Sequence, residues 1–427
     1  MIYMNVIKSR VFLNAVYLFV VQGVTYLVPL ITLPYLVRVL GAQSYGVLSF
    51  SLAIIQYFIL LTDYGFNLSA TQKISVICGD INKISNVFWS VTCCKILLMI
   101  ISAILVYTVT KVFDVMNGHE LVIFSCFGLV LGNILFPVWF FQGKEQMGLS
   151  SISNIISKLL AIPLIFLLVN NPNDAWIAAI ITSFTSISGG LISLTIIYHK
   201  KWVHWVGIRD LKIIQEFKDG WHLFISTAAI SMYTTSIVVV LGIFSGPISV
   251  GYFTAADRIR QAVQGLITPI TQACYPRINY LYRTSPEKGF ELVRKLLYFQ
   301  GGITLTLSII LMMFASVIVK ILFGNGFERS DSVLTIMAFC PFIVGISNVL
   351  GIQILVALGY KKVFSKILLC SGGLCLILIG PSTYLYSENG AALSVLITEV
   401  FVTIAMLIVV LAKKVPIFKR ENLNNEV

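Results

Sequence analysis

Runs of about twenty mainly apolar residues, separated by short polar or glycine-bearing turns, recur along the whole chain. Each is long enough to carry a helix across about 30 Å of hydrocarbon. Twelve such runs fall near 12–33, 46–66, 86–109, 120–141, 151–169, 175–198, 221–243, 249–273, 296–319, 333–358, 364–385 and 390–411. The pattern predicts an all-α integral membrane protein with twelve transmembrane helices. No small-residue cleavage site follows the first run, so it reads as a retained helix and not as a signal peptide.

The longest hydrophilic stretch separates six runs from six. It divides the chain into an N-terminal six-helix lobe at 1–198, a basic cytoplasmic linker at 199–220 and a C-terminal six-helix lobe at 221–427. At an offset of 205 residues, Gly41 and Gly46 meet Gly246 and Gly251, Ser44 meets Ser249, and Gln56 meets Gln261. Both glycine pairs fall in the outer turn between the first and second run of their half. Six crossings per half leave the two copies parallel, an arrangement found in transporters that move two lobes about a central site.

Charge sets the orientation. With the N-terminus inside, the cytoplasmic segments hold 22 of the 30 Lys and Arg, and the outer turns hold only Arg38, Lys111, Lys320 and Arg329. That bias over short loops places both termini in the cytoplasm. It accounts for the net charge of +12 without nucleic acid, the basic loops lying against anionic headgroups. A chain 58% hydrophobic and 11% charged is no soluble domain. Its eight cysteines form no outer-face disulfide framework and read as packing residues.

Against this background Asp257, Arg258 and Arg260 stand out, in the middle of an otherwise apolar run. An ionised side chain at the bilayer centre costs from about 2.5 to more than 10 kcal/mol, so such groups face a wet cavity or a partner. Counted from Ser249, the arginines sit about 13–17 Å deep. Asp257, Gln261, Gln264 and Thr268 share one helical face, with Arg258 and Arg260 on opposite flanks. Asp257 can pair with Arg260 at i,i+3, leaving Arg258 free; ligand contact by at least one of the two arginines competes with a purely structural ion pair. Ser49, Gln56, Asp63 and Asn67 form a stripe on the second run, and Asn14, Gln22, Thr25 and Thr32 one on the first. Asn154 and Lys158 are one turn apart on the fifth.

Neutral stripes of this kind also serve as glue between helices. Lys95 and Lys158 lie nearer the inner surface, where a lysine can snorkel to the headgroups. Arg38 borders the outer mouth of a central cavity. Asp63, Asp257 and the isolated Glu399 are candidates to bind a coupling ion, H+ or Na+. The chain holds no GxxxxGK[ST] loop, so ATP hydrolysis through a Walker site is excluded. His199 and His204 beside Lys200 and Lys201 make a poor metal site, and no cofactor is expected. Every outer loop is short, the longest spanning 320–332, which argues against a glycosyltransferase or polymerase and for a non-enzyme.

Six strings spread in order along the chain carry a family likeness: VPLITLPYLVRVLGAQSYGVLSF (28–50), QYFILLTDYGFNLSATQKIS (56–75), FPVWFFQGKEQM (136–147), AADRIRQAVQGLITPITQACYPRI (255–278), LFGNGF (322–327) and NVLGIQILVALGYKK (348–362). The chain resembles the Wzx-type O-antigen flippases of the multidrug/oligosaccharidyl-lipid/polysaccharide exporter superfamily. The resemblance implies a bacterial inner-membrane transporter of O-antigen and lipopolysaccharide biosynthesis. Its cargo is an undecaprenyl-pyrophosphate-linked oligosaccharide moved from the cytoplasmic to the periplasmic leaflet. Membrane lipids and other polysaccharide-assembly membrane proteins are the expected partners.

By the same resemblance, basic cavity residues engage the pyrophosphate, here Arg258 and Arg260, and less directly Arg38, Lys95 and Lys158. The second glycine turn, GPISVG, carries no arginine corresponding to Arg38, so a duplicated cation site is not expected. Two rival classes are a drug or metabolite cation antiporter of the same superfamily and a non-transporting scaffold of polysaccharide assembly.

Overall fold

The computed structural model describes residues 2–77, 79–112, 117–266 and 268–417, with side chains from Val28 onward except at Leu30 and scattered positions between 208 and 276. Asn14, Gln22, Thr25 and the Thr268 side chain therefore lie outside the described side chains, as Cys78 lies outside the described residues. The helices are α1 (Ile2–Asp63), α2 (Phe66–Val76), α3 (Ile81–Val112), α4 (Glu120–Leu135), α5 (Val138–Gly143), α6 (Met147–Leu168), α7 (Ala175–His199), α8 (Ile213–Gly265), α9 (Thr268–Thr284), α10 (Pro286–Phe323), α11 (Arg329–Met337), α12 (Cys340–Asn348), a π-helix (Val349–Val356) and α13 (Lys361–Ala412). There is no strand among the described residues. Nine helical stretches among them are long and apolar enough to cross a membrane.

Three helices are too long for one crossing. A straight helix of 52 residues such as α13 would run about 78 Å, over twice the hydrocarbon thickness. Each is broken where the chain leaves helical angles: α1 at Gly41 (φ 69°, ψ 173°), α8 at Gly246 (φ 77°, ψ 176°) and α13 at Ser387 (φ 49°, ψ −126°). The first two angle pairs are almost identical and essentially restricted to glycine. The sequence repeat is thus repeated in backbone geometry.

The two glycine turns also meet. A Cβ on Gly46 would overlap the carbonyl oxygen of Pro247, and one on Gly251 would overlap that of Ala42. At the offset of 205, Pro247 is the counterpart of Ala42 and Gly251 of Gly46, so one contact is made twice. Between them the Thr254 hydroxyl donates to Ser49 Oγ at 3.1 Å, and these residues are counterparts too. From this crossing α1 packs along the first part of α8: Phe50 against Gly242, Tyr57 bonded to Ser236 at 2.8 Å, and Gly65 against Gly220. At that last point Tyr64 stacks on Phe224 with centroids 4.8 Å apart. Lys73 then bridges Glu216 at 2.7 Å and Asp219 at 2.8 Å. Burial raises the Glu216 pKa, and Lys73 works against that shift.

Helix contacts elsewhere follow from the solvent. Lipid tails are as apolar as leucine, so buried faces gain by letting backbones approach. Gly128 and Gly132 of α4 receive Ser183 and Ser186 of α7, and Ser183 donates to the Ser125 carbonyl at 2.6 Å. Large apolar side chains such as Ile100, Ile101 and Ile104 of α3 point outward instead. Asp80 starts α3, its Oδ1 accepting the N–H groups of Asn82 and Lys83 at 3.1 Å. The Lys83 backbone and then its ammonium hold this carboxyl below the usual range.

Internal contacts divide the chain into two compact units, residues 1–255 with 323–326, and residues 256–322 with 327–427. Contacts and the sequence repeat therefore divide the chain at different places, the first within α8 and the second at the 199–220 linker. In the second unit, π-helix residues Val349, Leu350, Ile354 and Leu355 pack with Val402, Met406 and Val410 of α13. Arg294 holds the segment after α13 through the Ile417 carbonyl at 2.6 Å. The outer loop expected at 320–332 is mostly helix, α10 running to Phe323 and α11 starting at Arg329.

Candidate functional site

In the first unit, Asp63 and Lys95 meet at the end of α1. Asp63 is its last helical residue, because Tyr64 (φ 40°) and Gly65 (φ 74°) turn the chain into left-handed angles. Lys95 reaches Asp63 from α3 at 2.8 Å and Asn133 of α4 at 3.4 Å. It is only 2% exposed, so it does not snorkel: the ammonium turns inward to a carboxylate 32 residues away in sequence. The stripe expected from Ser49 to Asn67 holds only as far as Asp63, since Ser49, Gln56 and Asp63 share the continuous stretch of α1 after Gly41. The break at Tyr64–Gly65 puts Asn67 on a separate helix, where it is exposed. Ser49 meets Thr254, Asp63 meets Lys95, and Gln56 is exposed.

Arg38 is exposed beside the LFGNGF segment, its Nε 4.0 Å from the place of a Cβ on Gly324. On α6, Lys158 is half-buried, and Asn154 Oδ1 has no hydrogen-bond partner among the described residues.

The second unit holds the charges of the 255–278 motif. Arg260 donates from Nε to Asp257 Oδ1 at 2.7 Å and from Nη1 to Gln264 Oε1 at 2.5 Å, while Gln261 donates to Asp257 Oδ2 at 2.6 Å. The i,i+3 pair expected from spacing forms, closed on both sides by amides. Its neighbours on other helices are Glu399 of α13 and Cys340 of α12, both within electrostatic reach of Arg260. Arg258, two residues back, is exposed and has no hydrogen-bond or ion-pair partner among the described residues. The arrangement commits one guanidinium to the protein and leaves the other exposed.

Sequence patterns passed over Asn133 and two buried glutamines. Gln300 of α10, 2% exposed, donates to the Gly345 carbonyl at 3.0 Å. Gln353 in the π-helix, 1% exposed, donates to the Thr271 carbonyl at 2.9 Å. A lone amide inside an apolar run was the available signal in each case.

Residues 11–281 match the family described as polysaccharide biosynthesis protein. The chain belongs to that family. A relative from Escherichia coli (strain K12), proposed by its name as an O-antigen transporter, is 44% identical over 95% of this chain and 98% of its own length. Another of the same name from Shigella dysenteriae is 31% identical over 92% of this chain and 98% of its own. These matches bear out the Wzx-type resemblance.

Among solved structures, the fold is similar to that of the lipid II flippase MurJ in an inward closed conformation. There the TM-score is 0.74 and the identity 14%, with 93% of this chain and 87% of that one covered. An inward-facing multidrug resistance MATE family transporter of the MOP superfamily gives a TM-score of 0.71 and 15% identity over 91% of this chain and 96% of that one. At these identities the likeness establishes the helical fold alone.

Proposed function

We propose that this family member is an inner-membrane flippase that carries an undecaprenyl-pyrophosphate-linked oligosaccharide from the cytoplasmic to the periplasmic leaflet by alternating access. In this reading the long broken helices provide twelve crossings, in lobes 1–198 and 221–427 joined by the linker, with both termini cytoplasmic. The names of its relatives support an O-antigen or related repeat unit as cargo and a transporter, not an enzyme, as its class.

One observation carries the reading: Arg258 is an exposed, uncommitted guanidinium deep in an apolar run, beside a pair that already neutralises Asp257. A guanidinium cannot shed its proton, and its planar fork suits pyrophosphate oxygens. Arg260 supports the site by holding Asp257 away from Arg258. Gln261 and Gln264 order that pair, and Glu399 sets the remaining charge. In the first unit, taken by itself, Arg38, Lys158, Asn154 and Gln56 are the polar groups offered to a sugar chain, whereas Lys95 and Asp63 act as a pair. A cation antiporter would need uncommitted carboxylates; of the three candidates Asp63 and Asp257 are both matched to cations, which leaves Glu399 for that role.

Arg258→Ala should abolish surface polysaccharide in a complemented deletion strain, with protein at the wild-type level. Asp257→Asn and Arg260→Ala should do the same. Unchanged export in all three would overturn the assignment, and intact export with Arg258→Ala and Arg260→Ala is what a scaffold predicts.

A further inference from the structure

The feature that transport does not yet use is the π-helix at Val349–Val356. Its wider turn is seen at the exit, where Ala357 N–H bonds Ile352 O at 3.3 Å, five residues back, before Gly359 (φ 90°) caps the segment. A π segment has poorer hydrogen bonding than an α-helix and turns everything beyond it by about one residue. Here it presents Gln353 to α9. The Gln353 amide donates to the Thr271 carbonyl, one turn into α9, while its own Oε1 has no partner among the described residues. An apolar side chain of that size would avoid the cost of a half-satisfied amide among helices in lipid. So the residue is not explained by stability.

What Gln353 holds lies directly beyond the candidate site. α8 carries Asp257, Arg260, Gln261 and Gln264, ends at Gly265, and the chain resumes as α9 at Thr268. Leu266 lies outside both helices, and Pro269 in the first turn of α9 has no N–H to bond back across the junction, so the backbone ladder there is weakened. The amide clamp on Thr271 adds a constraint. A second amide, Gln300 on Gly345, ties α10 to α12, which leads directly into the π-helix. Packing of Val349, Leu350, Ile354 and Leu355 against α13 holds the segment from the other side.

We propose that Gln353 is a positioning residue for the Asp257–Arg260–Gln264 site, and that the π-helix exists to aim it. This rests on the flippase reading for its consequence, but the clamp itself can be read without cargo. Cys274 lies one turn beyond Thr271, half-buried on α9, and reports on that helix in a full-length protein whose other cysteines are replaced.

Gln353→Leu should accumulate and melt like the parent, export surface glycan about tenfold less or worse, and raise the maleimide labelling rate of Cys274 severalfold. Gln353→Met, which keeps the length and loses the donor, should match it. Combined with Gln264→Ala, which weakens the same site, Gln353→Leu should add no further loss. Parental export, full additivity with Gln264→Ala, or unchanged Cys274 labelling would each overturn the proposal. So would failure of both Gln353 variants to accumulate, since that assigns the residue to folding. If the wild-type chain failed to restore surface glycan, the flippase reading would fall while the labelling arm still decided the clamp.

Discussion

Gly46→Ala and Gly251→Ala are expected to lose folded protein and export together, and to similar extents. Each added methyl would overlap a backbone carbonyl, of Pro247 in one case and Ala42 in the other. A flexible side chain can swing aside; a carbonyl within a helix moves only if the helix does. Overpacking typically costs about 1–3 kcal/mol, and rigid backbone on both sides puts these two sites at the upper end.

Gly41→Ala and Gly246→Ala form the matched control. A Cβ there meets nothing within 4 Å, so the cost is the strained backbone alone, about 1–3 kcal/mol. Melting temperatures in detergent and glycan export of the four variants should show two pairs, each internally matched. A Gly46→Ala protein that melts and exports like the parent would contradict the crossing.

Lys95→Met should be the most damaging single change in the first unit. It leaves Asp63 as an uncompensated carboxylate in a site where Lys95 was 2% exposed, a loss of about 3–5 kcal/mol for a buried pair. Adding Asp63→Leu removes the orphaned charge, and a buried pair replaced by apolar residues is often neutral or stabilising. The double variant should therefore recover its melting temperature. If the pair serves transport, export should stay low despite that recovery. Return of both would reduce Lys95 and Asp63 to scaffold.

How much of this was legible beforehand differs from residue to residue. The Asp257–Arg260 pair could be read from spacing, because i,i+3 contact is a property of any helix. Gly41 and Gly246 were visible as turns for the same reason: their chemistry is local. Lys95 and Asp63 were noticed separately and their pairing was not. It requires α1 and α3 to be aligned in depth and rotation, which no periodicity within one run contains. Asn67 fell off the Ser49–Asp63 stripe because strict helical spacing assumes an unbroken helix. Tyr64 in left-handed angles gave no warning, although Gly65 beside it was a weak one.

The sequence by itself determined that the chain is helical and built for lipid, where its turns fall, that its halves share a glycine turn, and that charge lies deep at 257–260. These follow from length, hydropathy and local geometry, which act along the chain. Only the tertiary structure decided that Arg260 is committed while Arg258 is exposed, that Lys95 turns inward to Asp63, and that the glycine turns cross. It alone revealed a π-helix aiming Gln353 at Thr271. Those outcomes depend on which helix faces stack and how closely backbones approach. In lipid that is settled by small-residue packing and by the cost of unpaired polar groups, and both are properties of neighbours distant in sequence.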